Sequence, residues 1–386
     1  MKHPWSSQRF REGARAVGRD EEVIAASIDA ATAIKRSYAD LPVVLTINHL
    51  AHLAGVPVDI LQSAAFRKED GYRVFRVKKR GLPNGAAAAP PRRYRTICVP
   101  RPGLMRVQRW LAQNVLNLVE PHRASFAFFP GRDLVGAAKR HLEAKWLVKM
   151  DVRHFFESIS ERQVFQVFRS LGYGSLLSFQ LARVCTRVPE HAHGPYPLRV
   201  RLSDRALPYG PSREGHLPQG APSSPMLANL VMREFDERVE LLALEAGWTY
   251  SRYADDMAFS RRDHSSRAAA MHLVKLVESQ LTDFGLRNHR QKTTIIPPGA
   301  RKILLGVLVD SDRPRLTRAF KNNIETHLFA LLSTKVGPAS HRVKRGFDST
   351  IGMRRHIEGL IAFAHQVDAR YAANLYEKFN SVDWSI

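Results

Sequence analysis

The amino-acid sequence predicts an α+β fold in which helices accompany a small antiparallel sheet. Residues 223–245 and 266–284 carry apolar side chains at helical spacing, whereas residues 145–151 and 248–260 form short apolar or aromatic runs typical of strands. The order of one strand, two helices, a β-hairpin, a helix and a further strand predicts an α+β domain with a small antiparallel sheet. The 386 residues are many for one compact domain, and we expect two or three subdomains packed as a unit.

The composition points to a polyanionic partner. The chain has 59 Lys and Arg residues against 36 Asp and Glu residues, which gives a formal net charge of +23. A protein with this surplus usually neutralises a polyanion, and nucleic acid is the first candidate. The alternative is a solvated basic surface without a dedicated ligand. A hydrophobic content of 44% is ordinary for a globular protein.

The cysteines and the N-terminus indicate a cytoplasmic protein. Only Cys98 and Cys185 are present, too few for a disulfide framework or a cysteine zinc site, which fits a reducing compartment. The first residues are charged and contain no apolar core segment, so no signal peptide is visible. No apolar run has the length needed to span a bilayer. We therefore expect no membrane partner.

The first third of the chain predicts a helical region followed by a basic hairpin. Residues 19–64 are rich in Ala, Ile and Leu, with a break between two short helices at residues 55–57. Residues 72–81 then alternate apolar and basic side chains, as an exposed strand does, and residues 94–100 form the returning strand. The connection of Gly, Pro and Ala between them predicts a long flexible tip.

The rest of the chain predicts the elements of the sheet and its helices. A short strand ends at Asp151, and the helix after it begins near Ser160, which has the spacing of a capping box with Gln163. The other predicted elements are a loop at 189–220, one long buried helix at 223–245, two strands in 248–260, a helix at 266–284, strands in "KTTIIPP" and "KILLGVLVD", and basic helices from residue 316 onward with a cationic loop at 341–347.

Three aspartates predict a site for divalent cations. Asp255 and Asp256 are adjacent and flanked by Tyr253, Met257 and Phe259, and such a pair is costly to bury without a cation. Asp151 ends a buried strand, and neighbouring strands of one sheet would bring it close to the pair. Carboxylate oxygens suit Mg²⁺, and three carboxylates can hold the two ions used in phosphoryl transfer. The alternative is a solvated turn.

Several motifs in this order resemble those of reverse transcriptases. "YADD" at 253–256 is similar to the YxDD signature of that family, and "LPQGAPSSPMLANL", "MDVRHFFESI", "GLRNHRQKT" and "KILLGVLVD" resemble other family motifs. The segment "YRVFRVKKRG…YRTICVP" resembles the finger hairpin. The resemblance implies a right-hand polymerase fold of fingers, palm and thumb with a small antiparallel palm sheet. It divides the chain into an N-terminal helical region at 1–64, fingers and palm at 65–312, and a helical thumb at 313–386.

The same resemblance implies a role for individual residues. Asp151, Asp255 and Asp256 would be catalytic and bind two Mg²⁺ ions, and Lys292 would be a general acid near the pyrophosphate. In the implied nucleotide site, Lys78 and Arg95 would bind the triphosphate, with Lys79 and Arg93 left open as alternatives. Phe156 would be a gate against a ribose 2′-OH, and the Val152 carbonyl would be a further ligand. Gln219 would lie against the nucleotide, and Gly220, which lacks a Cβ, would permit a close approach of the backbone. For Phe156 plain core packing is the alternative, and for the finger cations it is a solvent-facing strand.

Within the family the chain resembles retron reverse transcriptases most. "LPQGAPSSP", "RYADDMAFS" and "FPGRDLVGAAKRH" are similar to retron sequences. The chain departs from that pattern at Ala137, where retrons have Asn in an Asn-Ala-x-x-His element, and at Leu304-Leu305-Gly306, where they have Val-Thr-Gly. Both elements are associated with the retron's structured RNA. The predicted RNA-binding residues are His141 and the thumb cations Lys344, Arg345, Arg354 and Arg355.

The resemblance predicts an RNA-directed DNA polymerase that uses dNTPs. It would copy a cognate structured non-coding RNA into single-stranded DNA (msDNA), hold the resulting RNA–DNA hybrid, and act within an antiphage defence system with an effector or toxin protein as a candidate partner. The alternatives are another bacterial reverse transcriptase, either defence-associated, diversity-generating or intron-encoded, and an RNA-binding scaffold with a vestigial polymerase site.

Overall fold

The computed structural model describes residues 5–78, 94–188 and 214–384. The chain forms two compact units, each assembled from separate segments: the first from Met1–Gly131, Asp151–Val239 and Val277–His289, the second from Arg132–Met150, Glu240–Leu276 and Arg290–Ile386. Helices predominate and the sheets are small and antiparallel, which confirms the predicted α+β class. The functional division at residues 64 and 312 stays a prediction.

The first unit begins with four helices: α1 (Ser7–Ala16), α2 (Glu21–Ser37), α3 (Ile47–Ala54) and α4 (Val58–Phe66). The predicted break between the last two is confirmed. Gly55 ends α3 with a φ of 63°, a left-handed conformation that glycine adopts without a steric penalty, and Pro57 precedes α4.

The predicted basic hairpin follows as β1 (Tyr72–Lys78) and β2 (Tyr94–Pro100), which pair antiparallel from Tyr72 opposite Pro100 to Lys78 opposite Tyr94. The tip of the hairpin, with Lys79 and Arg93, lies outside the described residues, as does most of the predicted loop at 189–220. After β2 comes α5 (Pro102–Asn114), in which the buried Gln108 side chain donates to the Tyr72 hydroxyl at 2.7 Å. This bond ties α5 to the first residue of the hairpin.

The remaining helices of the first unit include α7 (Glu161–Ser170), α8 (Ser175–Cys185), α9 (Ser224–Val231) and α10 (Arg233–Glu245), the last of which continues into the second unit. The capping box of Ser160 and Gln163 is present at the start of α7, as predicted. The prediction of one helix at 223–245 is wrong, because the helix is interrupted at Met232, where ψ is near 1°. Arg233, the first residue of α10, donates to the Tyr38 hydroxyl and the Glu120 carbonyl.

The second unit contains a four-stranded sheet and a smaller three-stranded one. The first sheet has the order β4-β5-β3-β6, formed by β3 (Trp146–Asp151), β4 (Thr249–Tyr253), β5 (Asp256–Arg261) and β6 (Thr294–Ile296). The second has the order β7-β8-β9, formed by β7 (Ile303–Leu304), β8 (Val307–Leu308) and β9 (Arg315–Leu316). Buried side chains of β3, β5, β7, β8 and α6 (Leu134–Lys139) share one apolar cluster. α11 (Arg267–Asp283) follows β5 and ends in the first unit.

Four helices complete the second unit: α12 (Arg318–Leu332), α13 (Gly337–Arg345), α14 (Thr350–Val367) and α15 (Ala369–Asn380). They enclose an apolar cluster of their own, which includes Ile324, Ile357 and Leu375. The predicted cationic loop at 341–347 is wrong for most of its length, because α13 continues to Arg345 and ends only where Gly346 adopts a φ of 69°. Among the described helices, none has the length and hydropathy required to cross a bilayer.

Candidate active site

The two adjacent aspartates lie at a tight turn between β4 and β5. Tyr253 is paired with Asp256, which leaves Ala254 and Asp255 as the two residues of the turn. Ala254 is buried and has a φ of 56°, in the left-handed region that a residue with a Cβ rarely adopts. Asp255 is half-buried and Asp256 is exposed. Both aspartates are therefore more accessible than the central residues of the two strands.

One face of the hairpin contains a buried arginine. Arg252 is 0% exposed, and its guanidinium donates to the Ala254 carbonyl oxygen at 3.0 Å. It lies on the same face as Tyr250 and Phe259, whose rings stack with their centroids 5.0 Å apart. The sequence interpretation missed Arg252. A signal was present, since strand alternation assigns position 252 to the same face as Tyr250.

The opposite face of the hairpin contains a buried histidine. His141 is 0% exposed, and its ring nitrogens lie 2.7 Å from the Ser251 hydroxyl of β4 and 2.7 Å from the Ser260 hydroxyl of β5. Burial, with a smaller effect of Arg140, lowers the pKa of His141 to about 3, so the imidazole is neutral. The His141 side chain is enclosed by protein, and its predicted role in RNA binding stays a prediction.

Asp151 is the last residue of β3 and is 5% exposed. Its carbonyl oxygen accepts a hydrogen bond from the His289 amide at 2.7 Å, and Arg153 donates to the Arg287 carbonyl at 2.8 Å. Val152, between them, forms an isolated antiparallel bridge with Asn288. The main chain at the end of β3 is therefore held by the segment that follows α11.

Phe156 lies just after this strand in a small aromatic group. Its ring centroid is 5.4 Å from that of Phe155 and 6.4 Å from that of Phe128. Phe155 is buried, whereas Phe156 is half-buried and Phe128 is exposed. Phe156 thus has a packed side and an accessible side, and its role as a gate against a ribose hydroxyl stays a prediction.

The Gln219–Gly220 loop lies against the finger strand β2. The Cys98 amide donates to the Gln219 carbonyl oxygen at 2.8 Å. Gly220 has a φ of 113°, and a Cβ added there would lie 2.9 Å from the Ile97 Cγ2 and 3.1 Å from the Cys98 carbonyl oxygen. The sequence predicted that Gly220 permits a close approach, and in the structure the close neighbour is β2 of the same unit.

Among the basic residues of the predicted site, those whose side chains the structure describes are exposed. Arg95 is exposed and lies opposite Val77, and Lys78 is the last residue of β1. Lys292 is exposed and lies in a single helical turn, 290–292, that precedes β6. The predicted RNA-binding cations of the C-terminal helices are all exposed: Lys344, Arg345, Arg354 and Arg355.

The donor chemistry of the aspartates fits a divalent cation. In the described part of the chain, no group of three or more His, Cys, Asp or Glu side chains is arranged to hold a metal ion. Mg²⁺ takes oxygen ligands and is commonly bound through one or two carboxylates, with substrate phosphates and water completing its shell. Asp151, Asp255 and Asp256 supply carboxylate oxygens of this kind.

Comparison with known proteins identifies the family. Residues 64–309 match the family model described as "Reverse transcriptase (RNA-dependent DNA polymerase)". The chain is 26% identical over 340 residues to the Retron Ec86 reverse transcriptase of Escherichia coli, covering 88% of this chain and 94% of that protein. It is 30% identical over 282 residues to the Retron Mx162 reverse transcriptase of Myxococcus xanthus, covering 71% of this chain and 55% of that protein.

Solved structures give weaker likenesses. A telomerase from Candida albicans, solved with a fragment of telomeric RNA, gives a TM-score of 0.42 at 11% identity, over 82% of this chain and 57% of that one. A foamy viral protease-reverse transcriptase in complex with an RNA/DNA hybrid gives 0.39 at 15% identity, over 82% of this chain and 31% of that one. On the family match and the curated relatives, the chain belongs to the reverse transcriptase family and is an RNA-directed DNA polymerase of the retron type.

Proposed function

We propose that Asp151, Asp255 and Asp256 form the nucleotidyl-transfer centre of this polymerase and bind two Mg²⁺ ions. Reverse transcriptases generally use divalent metal ions. At this centre the ions would stabilise charge on the attacking and leaving oxygens of phosphoryl transfer. Carboxylate oxygens suit a hard ion such as Mg²⁺, and two ions would serve the attacking and the leaving oxygen.

The observation that carries this proposal is the pairing of β3 with β5. The two strands are neighbours in the sheet, and the Lys145 amide, just before β3, donates to the carbonyl of Arg261 at the end of β5 at 2.9 Å. The strands are therefore antiparallel. Equal numbers of residues lead from Lys145 to Asp151 and from Arg261 to Asp255. This register supports a shared location for the carboxylates at one edge of the sheet.

We infer roles in substrate binding for residues outside the carboxylates. The exposed Arg95 and the neighbouring Lys78 would bind the triphosphate of a dNTP, because a guanidinium donates two hydrogen bonds to phosphate oxygens. The accessible side of Phe156 would exclude a 2′-OH. Gln219 and Gly220 would line the nucleotide site, the Val152 carbonyl would add an oxygen ligand, and Lys292 would donate a proton to the departing pyrophosphate.

The exposed cations of α13 and α14 support a nucleic-acid surface for the RNA–DNA hybrid. Binding through phosphates releases counterions, so affinity should fall steeply with salt. Replacing Lys344 and Arg345 together by Gln should reduce the slope of log affinity against log salt by about 2, one for each phosphate contact. Filter binding of a structured RNA at several salt concentrations measures the slope. An unchanged slope would remove these two residues from the interface.

The retron relatives support a more specific proposal for the template and product. The protein would copy part of a cognate non-coding RNA into msDNA in the cytoplasm, within an antiphage defence system and with an effector protein as partner. Sequencing the nucleic acid that co-purifies from the native host tests this. Branched RNA–DNA supports it, unbranched cDNA indicates another bacterial reverse transcriptase, and RNA alone indicates a binding scaffold.

The carboxylate assignment has a direct test. The double substitution Asp255→Ala, Asp256→Ala should abolish extension of a DNA primer on an RNA template, while RNA affinity changes little because the phosphate-binding surface is intact. Asp263→Ala is the matched control, since Asp263 is an exposed aspartate shortly after β5. Primer extension by the double variant at the rate of this control would overturn the assignment.

A further inference from the structure

The aspartate hairpin has polar side chains buried on both faces. In its register, Arg252 lies opposite Met257 on one face, and Ser251 lies opposite Ala258 on the other. Buried polar groups are costly unless they are hydrogen-bonded, so each of these side chains must be explained by the bonds it forms. The Arg252 bond lies at the turn that carries the aspartates, and the bonds from His141 to Ser251 and Ser260 join the two strands of the hairpin.

On the first face, Arg252 acts on the backbone of the turn itself. Its guanidinium donates to the carbonyl oxygen of Ala254, and that carbonyl belongs to the peptide that links Ala254 to Asp255. Ala254 is held at a φ of 56°, which is unfavourable for any residue with a Cβ. The Arg252 bond therefore fixes a peptide plane that would otherwise relax. The direction of the Asp255 side chain depends on that plane.

On the second face, His141 links the two strands that lead into and out of the turn. The ring bonds Ser251 on β4 and Ser260 on β5, both at 2.7 Å. A neutral imidazole has one donor and one acceptor nitrogen, and a serine hydroxyl can fill either role, so both bonds form together. Because His141 follows α6, it also anchors the hairpin to that helix.

We propose that Arg252 and His141 are positioning residues for nucleotide addition, which hold the Ala254–Asp255 turn from opposite faces of the β4–β5 hairpin. The inference rests on the proposed role of Asp255 and Asp256. Neither side chain reaches solvent, so neither contacts RNA or a nucleotide. Each acts through the backbone that carries the carboxylates, and the turnover number should therefore change much more than substrate affinity.

Arg252→Ala should lower kcat on a primed homopolymer RNA template about 100-fold, the loss expected when a reacting group is misplaced by about 1 Å. The KM for dNTP should stay within about twofold, since that site is built from other residues. Arg261→Ala is the matched control. Arg261 is half-buried at the far end of the same hairpin and donates to the Ala246 carbonyl at 3.3 Å. It should keep kcat within about threefold.

Arg252→Lys guards against a misfolded alanine variant, because it retains the charge and most of the volume while losing the planar guanidinium. Its thermal midpoint should stay close to wild type while kcat falls. Mn²⁺ affinity, measured by electron paramagnetic resonance without substrate, should fall in Arg252→Lys and stay unchanged in Arg261→Ala. If Arg252→Lys lowers kcat and Mn²⁺ affinity no more than Arg261→Ala does, the role of Arg252 is overturned.

His141 is tested by a pair of substitutions. His141→Phe fills the site and removes both hydrogen bonds, and should lower kcat about tenfold, whereas His141→Gln retains a donor and an acceptor and should recover most of it. Affinity for structured RNA should be equal in the two variants. A fall in RNA affinity with normal kcat on the homopolymer would overturn the positioning role of His141.

These outcomes separate the inference from the proposed function. If Asp255→Ala, Asp256→Ala abolishes extension while the Arg252 and His141 variants match Arg261→Ala, the positioning role fails and the carboxylate centre stands. If the double aspartate variant still extends primers, the centre itself is wrong and the inference falls with it.

Discussion

The chain uses the β-hairpin twice, in opposite surroundings. In β1–β2 apolar side chains are substantially exposed, with Phe75 40% accessible, and basic residues such as Arg95 lie beside them. In β4–β5 the central residues of both strands are buried, and Phe259 is 0% exposed. The proposed role of β1–β2 in substrate binding would need accessible side chains, whereas the proposed role of β4–β5 in orienting carboxylates would need a rigid frame.

The two hairpins are also held by different interactions. The base of β1–β2 is held by charged pairs: Arg187 donates to the Asp70 carboxylate at 2.9 Å, and Arg67 pairs with Glu161. Glu161 also accepts from Thr186 at 3.0 Å. The β4–β5 hairpin is held by bonds to its own backbone and hydroxyl groups, from Arg252 and His141. Ion pairs fix the root of the first hairpin, whereas hydrogen bonds along the second hairpin hold both of its faces.

The largest effect on the rate of nucleotide incorporation should come from Asp151, which lies outside both hairpins. Asp151→Asn preserves shape but removes the charge needed to bind a cation, and should lower the rate of dNTP incorporation about 1000-fold. Single-nucleotide incorporation in rapid-quench experiments measures the rate. Asp283→Asn, an exposed change at the end of α11, is the control. A loss of less than tenfold for Asp151→Asn would contradict its role.

Replacing one phenylalanine in each hairpin by alanine compares how much each hairpin's side chains contribute to the free energy of unfolding. Phe259→Ala removes a fully buried ring that stacks on Tyr250, and should lower the free energy of unfolding by about 3 to 5 kcal/mol. Phe75→Ala, at an exposed position of β1, should lower it by about 0.5 kcal/mol or less. Urea denaturation measures both. Equal losses would show that β1–β2 is also buried in solution.

Disrupting the ion pairs at the base of β1–β2 should lower the free energy of unfolding nearly as much as Phe259→Ala does. Glu161→Gln leaves the cations of Arg67 and Arg183 without their buried counter-charge, and we expect a loss of about 3 to 5 kcal/mol in unfolding free energy. The exposed pair of Arg238 and Glu234 is the control, and Glu234→Gln should cost less than about 1 kcal/mol. A Glu161→Gln loss as small as that of the control would show that the network contributes little.

The smallest effect is a pH dependence of stability from His141. Its folded-state pKa of about 3 lies below the ordinary value of 6.5, so the unfolded chain binds the proton more readily. Stability from this group is complete above pH 6.5 and is lost as the pH falls toward 3. Between pH 7 and pH 5, wild type should lose about 2 kcal/mol more than His141→Gln. Identical pH profiles would mean that His141 is not buried and neutral.

The sequence predicted local features of this molecule better than its tertiary contacts. Alternation and turn residues located both hairpins, and the Ser160–Gln163 capping box and the break at Gly55 follow from local chemistry. The interruption at Met232 was not predicted, because the apolar spacing continues through it. The dense positive charge of residues 341–347 predicts a loop, whereas the structure places residues 341–345 in α13.

The candidate site shows the same limit. The aspartates, Gln219 and Gly220 were recognisable because short motifs carry them. The functions of Arg252 and His141 depend on which backbone and hydroxyl groups meet them after folding. Strand alternation places Arg252 on the face of Tyr250, but the hydrogen bonds that both side chains form are visible only in the structure.

The hydrogen bond from the Cys98 amide to the Gln219 carbonyl joins the Gln219–Gly220 loop to the edge of β2 that does not pair with β1. Because of this bond, a displacement of β2 would carry the Gln219–Gly220 loop with it. The Ile97 side chain, whose Cγ2 would lie 2.9 Å from a Cβ added at Gly220, limits how closely this loop can approach the strand.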